Sequence, residues 1–108
     1  MDFINAVRSG FLNYANFEGR ANRPMFWWWV LFSSILGLVV AESDLLSLLV
    51  NLALLVPSIS VGARRMHDIG RSGWWQIVPL YNIYLAVQPG DPGMNSYGPP
   101  APPLRYDA

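Results

Sequence analysis

Residues 45 to 63 read LLSLLVNLALLVPSISVGA, nineteen residues without one charged side chain, in a chain of 108 residues that carries seven Arg, no Lys and seven acidic groups. A helix rises about 1.5 Å per residue, so this stretch covers roughly 28 Å, close to the roughly 30 Å hydrocarbon thickness of a bilayer. It is apolar around the whole helix, where a helix on the surface of a soluble domain would show one polar face. Residues 24 to 41, PMFWWWVLFSSILGLVVA, repeat the pattern over eighteen residues. Buried core helices are the alternative to two spans.

A third charge-free stretch runs from Ser72 to Gly90, but Gln76, Pro79 and Asn82 interrupt its apolar part, WWQIVPLYNIYLAVQ. A mid-helix Pro removes a backbone hydrogen bond that lipid cannot replace. The segment is therefore either a third span or a re-entrant or broken one. The expected fold is an all-α membrane protein: an N-terminal amphipathic interfacial helix, two transmembrane helices, and a third, Pro-interrupted transmembrane or re-entrant segment. The divisions fall at 1–23 for the N-terminal helix and linker, 24–88 for the membrane domain with spans near 25–41, 45–63 and 74–88, and 89–108 for a Pro/Gly-rich tail.

Composition narrows the function classes. Hydrophobic residues make up 53% of the chain and charged ones 13%, against roughly 25% charged in average soluble proteins, which excludes disorder. The zero net charge provides no global basic field for nucleic acid, and the absence of Cys excludes disulfide frameworks, thiolate zinc sites and iron–sulfur clusters.

Ahead of the first span, Asp2, Arg8, Glu18, Arg20 and Arg23 precede an apolar run that begins only at Met25; this is not the pattern of a cleavable signal peptide, and span one reads as an uncleaved anchor. Within residues 2 to 17, Phe3, Ile4, Val7, Phe11, Tyr14 and Ala15 share one side of a helical wheel, opposite Asn5, Ser9, Asn13 and Asn16. Such a stripe suits a helix lying on the membrane, or one docked on protein.

Arg is distributed as three before span one, none in the turn Glu42-Ser43-Asp44, three between Arg64 and Arg71, and one, Arg105, in the tail. The positive-inside rule then places the N-terminus and the second loop in the cytoplasm and the Glu42 turn outside. Trp27, Trp28, Trp29, Trp74 and Trp75 sit at the segment ends nearest the Arg clusters, where amphipathic rings favour the headgroup region, so they read as interface anchors.

Helices in lipid gain no hydrophobic drive from meeting, so small residues and polar contacts decide their packing. Ser33, Gly37 and Ala41 repeat at four-residue spacing on span one, as Ser58 and Gly62 do on span two. Asn51 lies near the middle of its span, where an unpaired amide is costly, and an interhelical hydrogen bond is expected from it. Pro57 should kink the same helix.

The densest chemistry is Arg64-Arg65-Met66-His67-Asp68-Ile69-Gly70-Arg71. If helix two runs into it, Arg64 and Asp68 form an i,i+4 pair, Arg65 and Asp68 an i,i+3 pair, and Gly70 a natural stop. The group Arg64, Arg65, His67, Asp68 and Arg71 is the candidate for contact with a lipid headgroup or a partner carboxylate, the alternatives being topological anchoring with internal ion pairing, and catalysis or transport. Catalysis would use His67, the one His, as acid or base. A metal site is not expected, because no Cys is present and the acidic residues are scattered. No glycine-rich phosphate loop with a Lys is present, and no cofactor is expected.

Residues 89 to 103, PGDPGMNSYGPPAPP, cannot sustain helix or sheet and should alternate turns with extended backbone. They read as a solvated terminus, or as a segment for a proline-recognising partner.

Three strings together carry a family resemblance: Phe17-Glu18-Gly19-Arg20-Ala21-Asn22-Arg23, then Ala63 to Trp75, then Pro79 and Gly93-Met94-Asn95-Ser96-Tyr97-Gly98-Pro99. Over roughly residues 17 to 99 the chain resembles the domain-of-unknown-function 805 family of small bacterial inner-membrane proteins. That resemblance implies a compact helical membrane domain and supplies no catalytic residue to carry across. The sequence departs from the familiar pattern at Tyr81-Asn82-Ile83-Tyr84, which makes the third segment more polar. The functional expectation is a small non-catalytic membrane protein, an accessory or structural subunit whose partners are the bilayer, other membrane subunits or copies of itself. Runners-up are an oligomeric transporter or channel component, and a headgroup-binding protein or membrane enzyme acting at the Arg64 to Arg71 loop.

Overall fold

The computed structural model describes residues 3 to 101, so Asp2 and Arg105 lie outside the described residues. Four α-helices and one 3-10 turn follow in order: α1 (Phe3–Leu12), α2 (Arg23–Val39), α3 (Asp44–Asp68), the 3-10 turn (Gly73–Ile77) and α4 (Tyr81–Val87).

Local chemistry sets the ends of the central hairpin. Asn22 caps α2 by accepting from the Met25 N–H at 3.0 Å, with Pro in the first turn where its missing N–H is harmless. Ser43 caps α3 by accepting from Leu46 N–H at 3.2 Å, and Asp44 places a negative charge at the positive end of the helix dipole. At the far end Gly70 adopts φ 78, its N–H bonds to His67 O at 3.0 Å, and Arg71 N–H bonds to Met66 O at 2.9 Å. This is the Schellman closure that a left-handed Gly permits. Over 25 residues α3 runs about 37 Å, enough to cross a bilayer, while the 17 residues of α2 cover about 25 Å.

Pro57 lies inside α3 without ending it. Its ring nitrogen has no proton to give to the carbonyl four residues earlier, that of Ala53. The Tyr14 hydroxyl, just beyond α1, donates to that same carbonyl. Ser60 Oγ, 3.2 Å from Tyr14 O and 2.9 Å from Pro57 O, ties the segment to α3 one turn further along.

α1 docks on α2 rather than standing away from the chain. The Phe3 ring meets Trp28 edge-on at 5.7 Å and Phe11 meets Trp29 edge-on at 5.2 Å. A side chain at Gly10 would run into the Trp29 ring, so the two helices approach closely only because that position has none. Two clusters make the core. Trp29, Leu54 and Val61 join α2 to α3, and Met66, Leu85 and Ala86 join α3 to α4. Burial is uneven along α3: Ser60 through Met66 are all buried, whereas Leu45, Leu46, Leu48, Leu49, Leu52 and Leu55 are exposed. The molecule is thus a closed base from which an apolar hairpin projects.

One alternative is decided and three expectations are corrected. The 74–88 segment takes the broken form: the 3-10 turn ends before Pro79, and Tyr81 N–H bonds to Pro79 O at 2.7 Å around Leu80 at φ 67, a tight γ-turn. Asn82 Nδ2 meets the freed Gln76 carbonyl at 2.8 Å, and the seven-residue α4 that follows is about 10 Å long. The break satisfies itself locally, as the absence of a Pro N–H requires.

The stretch from Pro89 to Ala101 is not a solvated tail but is folded against the base, with Asp91 N–H on Asp68 O at 2.7 Å and paired bonds between Asn95 and Gly98. Trp29 is no interface anchor: it is 2% exposed, and its Nε1 donates to Ser58 Oγ at 3.1 Å, because the ring fills the space left by Gly10. Finally, Asn51 forms no hydrogen bond to another helix among the described residues, because it stands on an exposed face of α3.

Tyr14→Phe should leave the Ala53 carbonyl without its donor and lower stability by about 1 to 3 kcal/mol. Thermal unfolding of the detergent-solubilised protein measures this, with Tyr97→Phe as the control for loss of a hydroxyl elsewhere.

Candidate functional site

The polar residues that the sequence concentrates at the inner end of α3 form a buried ion cluster. Asp68, the last residue of α3, shares its carboxylate between two guanidiniums, Arg20 Nε at 2.9 Å from Oδ1 and Arg65 Nη1 at 2.6 Å from Oδ2. Neither Arg side chain is exposed to solvent.

Arg20 places all five of its N–H donors. Besides Asp68 Oδ1 it reaches Gly93 O at 2.6 Å, Gly98 O at 3.1 Å, Asp91 O at 2.5 Å and Asp68 O at 3.3 Å. Arg65 reaches Ala86 O at 3.0 Å, Ala21 O at 3.1 Å and the Gln88 carbonyl. The Asp68 cluster therefore holds two positive groups and one negative group, and its surplus positive charge is stabilised by carbonyl dipoles from the linker, the end of α4 and the Pro/Gly stretch. Gly90 packs so close to the Asp68 carboxylate that a side chain there would collide with it.

Beside the cluster, His67 is stacked flat on Tyr97 at 4.0 Å and 3° between planes. Its Nδ1 lies 3.0 Å from Gly19 O and so carries the proton that bond requires. Asn95 Nδ2 donates to His67 O at 2.9 Å and to Asp91 Oδ2 at 2.8 Å, locking the Pro/Gly stretch onto the helix end.

The proposed contact residues are thus divided. Arg65 and Asp68 pair as expected but face inward. Arg64 does not pair with Asp68: its Nε bonds to Ser60 O at 3.3 Å and its Nη2 has no partner, in a cleft lined by Ser9, Gly10, Ala21, Met25 and Val61. The side chain leans toward the helix N-terminus, under α1 and away from the carboxylate. Arg71 is half-exposed, its guanidinium 5.0 Å from the Trp75 ring centre and 6.0 Å from that of Tyr81.

Of the ring anchors, Trp74 is 78% exposed and Trp75 is also exposed, while Trp27 and Trp28 are half-buried against Phe26 and Phe3. The small-residue ridges are used unequally. Gly62 packs against the Gln76 side chain and Ser58 receives Trp29, whereas Ser33 bonds back to its own helix, Ala41 is exposed, and a side chain at Gly37 would touch nothing. An apolar cavity of about 450 Å³ lies beside that packing, bordered by Val30 and Ser33 of α2, Ser58 and Gly62 of α3, Gln76 and Ile83. Among the described residues no three acidic or His side chains gather to hold a metal ion.

Arg20 is the residue that sequence reasoning missed. Charge counting treats it as one of three topological Arg, and its acceptors are mostly backbone carbonyls, which leave no trace in side-chain identity. The one sign was that it falls in the first of the three polar strings carrying the resemblance, with Asp68 in the second and Gly93 and Gly98 in the third.

An apolar hairpin standing on a base closed by buried ion pairs defines the class, a small helical membrane protein. Residues 14–99 match the family model described as "Protein of unknown function (DUF805)", and the chain belongs to that family. It is 34% identical over 101 residues to the inner membrane protein YhaI of Escherichia coli strain K12, covering 80% of this chain and 86% of the relative. It is 32% identical over 106 residues to the inner membrane protein YhaH of the same strain, covering 81% and 88%. No solved structure matches the chain.

Removing one partner from a buried ion pair leaves an uncompensated charge. Asp68→Asn should cost about 3 to 5 kcal/mol, and Arg20→Lys should be nearly as damaging as Arg20→Ala because an ammonium cannot reach five divergent acceptors. Steady-state abundance in membranes and unfolding midpoints in detergent report both.

Proposed function

We propose that the protein is a non-catalytic, multi-pass component of the bacterial cytoplasmic membrane, acting as an accessory or structural subunit that packs against other membrane proteins or further copies of itself. The observation that carries this is the contrast between its two halves. The polar groups of the base bond overwhelmingly to the chain itself, while Leu38, Val39, Leu45, Leu48, Leu52 and Leu55 face outward. An apolar surface with no internal partner belongs to lipid and to neighbouring helices.

In this reading α2 and α3 cross the bilayer, with the Arg-rich base in the cytoplasm and the Glu42 turn on the opposite side. The third segment enters and turns back at Pro79. Support comes from the tail: Asp91, Gly93 and Gly98 bind Arg20, so the two ends of the described chain share one side. Contact with lipid headgroups falls to Arg71 with the exposed Trp74, since Arg65 and Asp68 face inward.

The natural absence of Cys permits a direct test. With a membrane-impermeant maleimide, Glu42→Cys should label in right-side-out vesicles, and Glu18→Cys and Ser96→Cys only in inverted ones. Labelling of Ser96→Cys from the outside would remove the re-entrant reading. Mild-detergent purification that yields monomer with nothing bound would remove the accessory reading.

A further inference from the structure

Asn51 presents a chemical problem that the chain does not solve. It stands on α3, exposed, with Leu48 one turn before it and Leu55 one turn after it on the same side. Ser58 and Gly62 continue that strip toward the base, and there it is covered: Trp29 bonds to Ser58, and Gln76 packs on Gly62 and donates to Ile59 O at 3.3 Å. The third segment stops at that level because it breaks at Pro79. Above it, Leu48, Asn51 and Leu55 have no cover. An amide carries two donors and an acceptor, and hydrocarbon offers none of them a partner.

We propose that this face is closed by the same face of a second copy, with the two Asn51 amides bonded to each other across a twofold axis along the membrane normal. The inference rests on α3 crossing the membrane, as proposed above. What selects a second copy is depth. Any partner must present a polar group at the level of Asn51, and an identical chain inserted in the same orientation does so automatically, with α3 parallel to α3. The spacing of Leu48, Asn51 and Leu55, three residues then four, is that of a coiled-coil seam. A single Asn at such a seam fixes register and the number of strands.

The test uses single-Cys variants in native membranes with a short bis-maleimide. Leu48→Cys and Leu55→Cys should each give an adduct of twice the 12.1 kDa chain mass, and Leu49→Cys, exposed on the opposite side, should not. Adding Asn51→Leu should lower adduct yield by roughly three- to thirty-fold, the range set by one or two interhelical hydrogen bonds, while Asn51→Gln should retain most of it. Equal cross-linking at Leu49→Cys, adducts of another mass, or yields indifferent to Asn51→Leu would each overturn the proposal. Alkaline carbonate extraction separates the two levels of failure. A protein that stays in the membrane pellet without cross-linking loses only the dimer, and one released to the supernatant loses the spanning reading with it.

Discussion

One carboxylate organises the base of this protein. Asp68 ends the long helix and holds Arg20 from the linker before α2 and Arg65 from the preceding turn, and through those two guanidiniums the carbonyls of six further residues are drawn inward. The arrangement depends on exact satisfaction. A guanidinium removed from water is tolerated only where its donors find acceptors, and Arg20 finds five. Buried ion clusters contribute little net stability compared with packed apolar groups, whereas the loss of one partner leaves an uncompensated charge in the interior. Here the cluster, together with the His67–Tyr97 stack and the bonds of Asn95, holds the stretch from Pro89 to Ala101 against the base.

The rest of the architecture divides along the length of α3. Near the base its side chains are consumed by α1, the 3-10 turn and α4; further out it touches little but α2. That taper follows from Pro79. A third helix of full length would have filled the groove beside α3 to its tip, whereas the break stops it at the level of Ile59. The same imino acid chemistry acts at Pro57 in the opposite way, since a single hydroxyl from Tyr14 answers for the lost bond and α3 continues.

Much of the helical content was legible, and for identifiable reasons. The Leu45 to Ala63 stretch is rich in Leu and long enough to carry Pro57 without ending, Ser43 and Gly70 are placed where a start and a stop require them, and the i,i+3 relation of Arg65 to Asp68 is a matter of helix geometry alone. What could not be read is what depends on a second segment. Three consecutive Trp on α2 differ by 100° in direction, and it is Gly10 on another helix that makes Trp29 the buried one. Arg64 and Arg65 look alike in sequence, yet one meets Asp68 and the other lies under α1. The Pro/Gly stretch was rightly denied regular structure, but its role is carried by main-chain carbonyls that every residue type possesses. The 805 family resemblance drew attention to the right three strings without indicating that they converge.

The route by which Arg20 finds its acceptors constrains how the protein comes into being. Its partners lie 48, 71, 73 and 78 positions later in the chain, and a polypeptide leaves the ribosome N-terminus first. Throughout translation of both apolar helices this guanidinium remains hydrated, and its first mate emerges with the final turn of α3. The remaining acceptors, at positions 91, 93 and 98, lie beyond α4, so the base closes only after both apolar helices have been made. A chain that stops short of residue 91 therefore keeps an Arg20 most of whose acceptors have yet to be made.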